Sequence, residues 1–579
     1  MKTSKRILSS LLVMCILFSS IGLTTAYAAR TSSVGDAVGY AIEKGVAGLI
    51  NGLLNGIGSL VPESDKFYDA DTYADTQFYE GSGEFADTVK DGASWKLGSA
   101  EVSLVPDDWK EHTYYLGGYG VKNNGFSNKV EEILDDMKAR VIAISDGEKV
   151  TVFATTDSIG TTNQHIRDIR EKLIEKSNGK YDFAAINVCA THSHSGIDTE
   201  GLWTEAVRKI FANGVKSLLH IGKLESGTDP HYMEFFCDKV SDAMLEACEN
   251  MESGTLKYTV KTLDESYFQN KNRASSKTLI TEMHRFVFNP YNSDSKPTMI
   301  VQVSGHPDVA GYPTDDGKGN GRGLSGDYVY YMGEVINGAG YDFMFFNGAI
   351  AGVYMSTGSS EDGQPHSHRV EKSAYYGREL GRMALSLTLT EQQITADEFL
   401  MSDKNDDWYE GWEPVRERSV SPILNIALKE VDVPVTNGLI KLAGKLNLAN
   451  YDVLKKDDGY YLRTEIGYME MGDVKFVFTP GELCQDLVDG GTSLTAEYSF
   501  SGEDFEGKVL TDIFGDDIIV LGLTNDAIGY IVPDNDYAMC AFSIQHKQGD
   551  GHYHELISLG EQTASVLMEA YEELSEEIK

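Results

Sequence analysis

An apolar run, Ile186-Asn187-Val188-Cys189-Ala190, breaks abruptly into Thr191-His192-Ser193-His194-Ser195-Gly196. Runs of this kind fill buried strands. A strand that feeds a glycine-containing turn delivers its side chains to the rim of a sheet, where α/β proteins place their chemistry. The stretch therefore points to an α/β fold with a site at a strand end. Neutral imidazole is the commonest metal ligand and titrates near neutrality. If the strand continues through the pair, both rings lie on one face, because strand side chains alternate. One ring could then hold a metal while the other handles protons. The competing reading is a surface turn carrying two solvated histidines.

Charge and composition narrow the classes. The chain has 579 residues, enough for one large catalytic domain with additions, and its 41% hydrophobic content allows a sizeable core. Lys and Arg number 50 against 89 Asp and Glu, a formal charge of −39. Such a chain repels polyanions, which argues against nucleic acid as a partner. Lys2, Lys5 and Arg6 precede an apolar stretch, Ile7 to Leu23, and Ala26-Tyr27-Ala28 fits a small-x-small cleavage site. Residues 1–28 thus read as a signal peptide of a secreted protein. Of six cysteines, Cys15 lies in that stretch. The other five, Cys189, Cys237, Cys248, Cys484 and Cys540, are expected as buried thiols and not as a disulfide framework. After signal removal no apolar run reaches the roughly 18 residues of a membrane span.

Residues 29–93 read as a helical segment that docks on the protein, followed by an irregular linker; residues 94–579 read as the main domain. Leu116-Gly117-Gly118-Tyr119-Gly120 is glycine-rich but lacks a phosphate-cradling spacing. Lys138 to Ile144 and Val150 to Asp157 form a predicted hairpin, with Asp157 at a strand end or as a helix N-cap. A helix over Gln164 to Ser177 then leads to the His192 strand at βα spacing, which predicts a parallel pair. Helices are also expected over Pro230 to Met251, Ser373 to Leu389 and Glu561 to Lys579, and Ala396 to Gly472 reads as β-rich. His366 and His368 fall in a polar loop and read as solvated.

Four apolar strands end in chemistry-bearing residues: His192 and His194, His306, Glu482, and Tyr530. Each alone is weak, since a polar residue at a strand end is often a satisfied turn group. Together they supply nitrogen and oxygen donors that a folded sheet can converge. Two histidines and a carboxylate make the ligand set of a catalytic zinc site.

On these residues the chain resembles the neutral ceramidase family. The carrying motif is Ala190-Thr191-His192-Ser193-His194-Ser195-Gly196. Ala139-Arg140, Asn272-Arg273, His306-Pro307, Ser325-Gly326-Asp327, Pro480-Gly481-Glu482, Gly529-Tyr530-Ile531-Val532 with Tyr537, and Tyr553-His554-Glu555 follow in the family's order. The resemblance implies zinc (Zn2+) as cofactor, held by His192, His306, Glu482 and Tyr530. It implies that His194 is a non-ligand histidine moving protons at the scissile amide, and that Arg273 and Tyr553 orient or polarise the substrate. Two departures stand out. The family's Asn-x-Gly-Asp-x-Ser-Pro segment falls at Asn347 to Tyr354, where the Asp is Gly352 and the Ser is Tyr354, so a serine nucleophile is not available. The chain also ends soon after Tyr553, so the family's C-terminal β-sandwich domain is expected to be lacking.

The expectation is one large α/β catalytic domain with a mixed β-sheet core flanked by helices. Its expected activity is secreted, zinc-dependent hydrolysis of an N-acyl amide, with N-acylsphingosine as the best single substrate. The rivals are a hydrolase of another small amide or ester, and a non-catalytic secreted binding protein. A small-molecule or lipid N-acyl substrate is the expected partner.

Overall fold

Three strands near the predicted site are mainly apolar, and they are buried almost throughout. Val150–Thr156 is buried at every residue, and Lys138–Ser145 and Phe183–Ala190 at every residue but the first. Strands read this way when both sheet faces are covered. The structure is a computed structural model that describes residues 48, 51–74, 77–118, 128–270, 278–308, 323–355, 369–402, 407–538, 544–546, 550–552 and 554–579. The expected signal peptide, Arg273, His366, His368, Cys540 and Tyr553 lie outside the described residues.

Among the described residues two large mixed sheets, of nine and six strands, organise the chain. The first contains β1 (Trp95–Ser103), β2 (Lys138–Ser145), β3 (Val150–Thr156), β4 (Phe183–Ala190), β5 (Glu252–Thr262), β6 (Glu282–Pro290), β7 (Thr298–Gln302), β8 (Asp342–Phe346) and β9 (Arg418–Val420). Their spatial order is β8-β7-β6-β5-β1-β2-β3-β4, with β9 against β5. The predicted β2–β3 hairpin is antiparallel and the β3–β4 pair parallel, as the intervening helix requires. The second sheet contains β10 (Leu424–Pro434), β11 (Val453–Lys456), β12 (Gly459–Met471), β13 (Val474–Phe478) and β14 (Ile518–Leu521). Phe67–Asp69, from the expected linker, adds a parallel strand to β11.

The two sheets share one apolar core, in which Trp95, Ile142, Phe153 and Phe346 meet Ile426, Phe476, Phe478 and Ile519. Helices α1 (Asn163–Ser177), α2 (Ala206–Leu219), α3 (Pro230–Glu249), α4 (Asp327–Gly338), α5 (Arg369–Ser386), α6 (Gly438–Lys445) and α7 (Thr563–Glu577) cover the outside. Helices α1 and α3 pack on the β2–β4 side, α4 and α5 on the β7–β8 side, and α7 on the second sheet. Cys189, Cys237, Cys248 and Cys484 are buried thiols outside any disulfide, as expected.

The first sheet curls. Its outermost strands, β4 and β8, lie at opposite ends of the spatial order, yet Phe153 on β3 packs edge-on against Phe346 on β8 at 5.5 Å. The segment after β14 bridges the two edges. Gly522 N donates to Asn347 O (3.1 Å), Ala190 N donates to Leu523 O (3.1 Å), and Asn525 N donates to Val188 O (2.8 Å). Leu523 and Asn525 take positive φ to make these turns. A Cβ on Gly522 would stand 2.1 Å from Gly348 O, so only glycine fits the seam.

A buried ion pair ties the sheets together behind that seam. Arg170 on α1 donates to both Glu465 oxygens on β12 (2.7 and 2.8 Å) and to Ile186 O on β4 (2.9 Å). Both side chains are fully buried. Removing one partner strands a charge in the interior, which costs about 3–5 kcal/mol. We expect Glu465→Ala to lower stability by that amount in guanidinium unfolding, and Arg170→Met/Glu465→Leu to recover most of it. A wild-type midpoint for Glu465→Ala would show that the pair does not hold the sheets together.

Candidate metal centre

Strand ends from both sheets deliver the site: His192 follows β4, His306 follows β7, Asn347 follows β8, and Glu482 follows β13. The strand does not run on through the His192–His194 pair. Strand β4 stops at Ala190, and His192 adopts a left-handed backbone with φ 68°. Such a conformation is costly away from glycine and persists where surroundings enforce it. Here Asn347 does the enforcing. Its side-chain amide donates to Thr191 O (2.8 Å) and Gly305 O (3.1 Å), and its oxygen accepts from Gly305 N (3.1 Å) and Gly348 N (2.9 Å). One buried side chain thus fixes the two histidine loops against each other.

Four donors then converge. Glu482 Oε2 lies 3.0 Å from His306 Nε2 and 3.3 Å from His192 Nε2, and His194 Nε2 lies 3.2 Å from His192 Nε2. The ligand atoms of the three histidines all fall within 4.8 Å of one another. Tyr530 lies beside them: Glu482–Leu483 and Tyr530–Ile531 pair in parallel with Glu482 opposite Tyr530, which puts both side chains on one face. All five residues are buried.

The far nitrogens are already engaged. His192 Nδ1 lies 2.6 Å from Ile159 O, and His306 Nδ1 lies 2.9 Å from Val353 O. Carbonyl acceptors fix both rings with the proton on Nδ1 and the Nε2 lone pair facing inward, the arrangement metal-ligating histidines use. His194 makes a backbone hydrogen bond with Gly118, and a Cβ on Gly118 would stand 2.6 Å from His194 Nδ1.

Protonation sharpens the picture. Burial pushes both His194 and His306 down, toward the neutral ring. Burial alone would raise Glu482, but the charges of His192 and His306 and their hydrogen bonds outweigh it and hold the carboxyl well below its usual range. The centre therefore sets a carboxylate against the inner nitrogens of two rings whose Nδ1 atoms are already engaged. Among the described residues the ion-pair partners of Glu482 are these two rings. A divalent cation bound among these atoms would meet that carboxylate with positive charge. The spacings also agree, since atoms about 2.0–2.2 Å from a tetrahedral zinc lie roughly 3.3–3.6 Å apart.

No protein-family model and no curated protein matches the chain. Solved structures match it in fold, and two of them are ceramidases. One is the neutral ceramidase from Pseudomonas aeruginosa, at TM-score 0.55 and 13% identity over 83% of this chain and 73% of that chain. The other is a ceramidase complexed with C2, at TM-score 0.56 and 13% identity over 83% and 75%. The chain has a neutral ceramidase-like fold.

Within the ceramidase-like fold the two departures from the family's motif acquire a setting. Gly352 takes φ 76° in the turn before Val353, whose carbonyl orients His306. Tyr354 stacks on the His306 ring at 4.5 Å with planes 17° apart. The position where the family has serine is therefore a packing surface for a site histidine. Asp157 is no helix cap. It accepts from Arg140 Nη1 (2.8 Å) and Lys138 N (2.9 Å) in a buried ion pair under the site.

Sequence reasoning missed two supporting residues. Asp198 accepts from the backbone of Glu200, Gly201, Trp203 and Thr204 and from the Thr204 hydroxyl, so it braces the loop that leaves the histidines. Glu200 is a buried carboxyl that burial and the charges of Asp198, Glu482 and Asp526 push well up, toward the protonated form. In the sequence Asn347 stands out only as the first residue of the segment that departs from the family's motif. Asn347→Ala leaves Gly305 N, Gly348 N and Thr191 O without their partner. We expect a loss of about 2–4 kcal/mol in unfolding free energy and zinc binding weakened roughly 10–100-fold, read by chemical denaturation and competitive zinc titration. Unchanged values in both would remove Asn347 from this role.

Proposed function

We propose that the chain is a secreted, zinc-dependent hydrolase of an N-acyl amide bond, with N-acylsphingosine the best single substrate. One observation carries the reading: an ionised Glu482 faces imidazoles whose outer nitrogens are spent on carbonyls, inside a fold like that of two ceramidases. The basic, apolar N-terminus with its small-x-small site supports secretion after loss of residues 1–28. No described helix is long and apolar enough to cross a membrane.

His192, His306, Glu482 and Tyr530 would hold the zinc. Bound there, zinc supplies Lewis acidity and brings the pKa of a water toward neutrality. The protein's own groups do the rest. Ile159 O and Val353 O fix the two ligand rings. His194, kept neutral by burial, faces the same point and serves as the proton carrier, from the attacking water to the leaving amine nitrogen. Arg273 and Tyr553 would orient the acyl group and stabilise its developing oxyanion, as the resemblance implies. A second reading, hydrolysis of a different small amide or ester, draws on Tyr354, whose ring occupies the serine position beside His306.

His192→Ala and His306→Ala are expected to bind far less than one zinc per chain. His194→Ala is expected to keep the metal and lose activity by roughly 10²–10⁴. Loss of metal in His194→Ala would move that ring into the ligand set. The substrate is tested with short- and long-chain ceramides in detergent, with and without chelator. Chelator-sensitive release of fatty acid that improves with chain length supports the ceramidase reading, since each buried CH₂ contributes about 0.8 kcal/mol. Hydrolysis of a soluble amide or ester with no ceramide turnover would favour the second reading.

A further inference from the structure

Exposed apolar side chains gather at one corner of the molecule. Of thirteen large hydrophobics exposed among the described residues, six fall on two neighbouring segments: Leu53 and Leu60, and Phe211, Val215, Leu219 and Ile221. Leu53 lies within helical residues 51–58 and Leu60 just after them, and the others lie on and just beyond α2. The inner faces of these segments are packed. Ile57 and Val61 share one apolar cluster with Ile210 of α2 and with Leu442, Leu446 and Leu448 from α6 and the chain after it. Asn213 pins α2 by donating to Leu446 O (2.7 Å) and Glu225 O (2.8 Å) and accepting from Glu225 N (2.9 Å). With that face fixed, Phe211, Val215 and Leu219, at i, i+4 and i+8, form a stripe along the outer side.

The charge of this corner is opposite to that of the chain. Residues 206–223 contain Arg208, Lys209, Lys216 and Lys223 and no Asp or Glu, in a chain of formal charge −39. Adding the flanking Glu205 and Glu225 still leaves four bases against two acids, a charge of +2. Those acids pair with Arg208 and Lys216 at the helix edges, and Lys209 turns inward to Gly227 O. In the adjoining α6, Lys441 donates to Asn55 Oδ1 (3.1 Å) at the edge of the corner, and Lys445 is buried and donates to Gly58 O (3.0 Å).

An apolar stripe bordered by basic residues is the pattern of helices that lie in a membrane interface, and exposed apolar patches of this kind mark interaction surfaces. A second copy of the chain, joined through the same face by two-fold symmetry, would set basic patch against basic patch. We infer that α2, with the adjacent residues 53–60, docks on the surface of an anionic lipid bilayer. None of the docking residues belongs to the metal cluster, so the surface stands apart from the zinc reading. The loop braced by Asp198 joins α2 directly to His194, which would carry the site to the bilayer with the helix.

The test is co-sedimentation of the mature chain with phosphatidylglycerol–phosphatidylcholine vesicles and with pure phosphatidylcholine vesicles. Binding is expected to the anionic vesicles, to weaken with added salt, and to fall at least about tenfold in Phe211→Glu/Leu219→Glu. Phe211→Ser/Leu219→Ser, which leaves the charge unchanged, should show the same direction and guards against a folding defect in the first variant. His192→Ala should sediment like wild type, so a failed metal site and a failed docking surface read differently. The inference is overturned if the wild-type chain ignores anionic vesicles or if both double variants bind as well as it does. It is also overturned if the stripe mediates a dimer in solution that the variants abolish.

Discussion

Glu482 Oε2 sits 3.0 and 3.3 Å from two imidazole nitrogens whose rings already spend their other nitrogen on a backbone carbonyl. Burial pushes His306 and the neighbouring His194 toward the neutral ring. A buried carboxylate in that position is expensive unless a positive charge meets it. A left-handed His192 and a four-bond Asn347 hold the donors in place in advance, so the ordering cost is met by folding and not by binding.

The architecture exists to bring distant strand ends to one point. His192 and His306 follow strands β4 and β7, which lie well apart in the order of the first sheet, and Glu482 follows a strand of the second. Curling of the first sheet, with Gly522 to Asn525 stitched between Asn347 and Val188, closes the distance. The buried Arg170–Glu465 pair binds the two sheets on the same side. Packing of Phe153, Phe346 and Phe478 within the shared core sets how far the curl goes.

Much of this was legible in the sequence because it is local. Apolar runs ended by His, Glu or Tyr gave the strand termini, and the spacing around Asn163–Ser177 gave a parallel β3–β4 pair. Helix Ala206–Leu219 was not read. Its N-cap, Glu205, is left-handed and makes no side-chain cap, so the usual start signal is missing. Helix Gly438–Lys445 is short and begins with glycine, inside a stretch that reads as strands. The convergence itself was not derivable from spacing, because it depends on sheet curl and on pairing between residues hundreds of positions apart. Asn347 and Asp198 escaped for a related reason. Their importance lies in the backbone groups that meet them after folding, and Asn and Asp at loops carry many meanings.

The central claim is that His192, His306 and Glu482 form one metal centre with Tyr530 beside it. Its most direct test is a crystal structure of the zinc-loaded chain with anomalous diffraction recorded on both sides of the zinc edge. The account predicts a single zinc peak bounded by His192 Nε2, His306 Nε2 and a Glu482 oxygen, each at about 2.0–2.3 Å. A cluster with no zinc peak, or a peak held by the three histidines with Glu482 turned away, would contradict it.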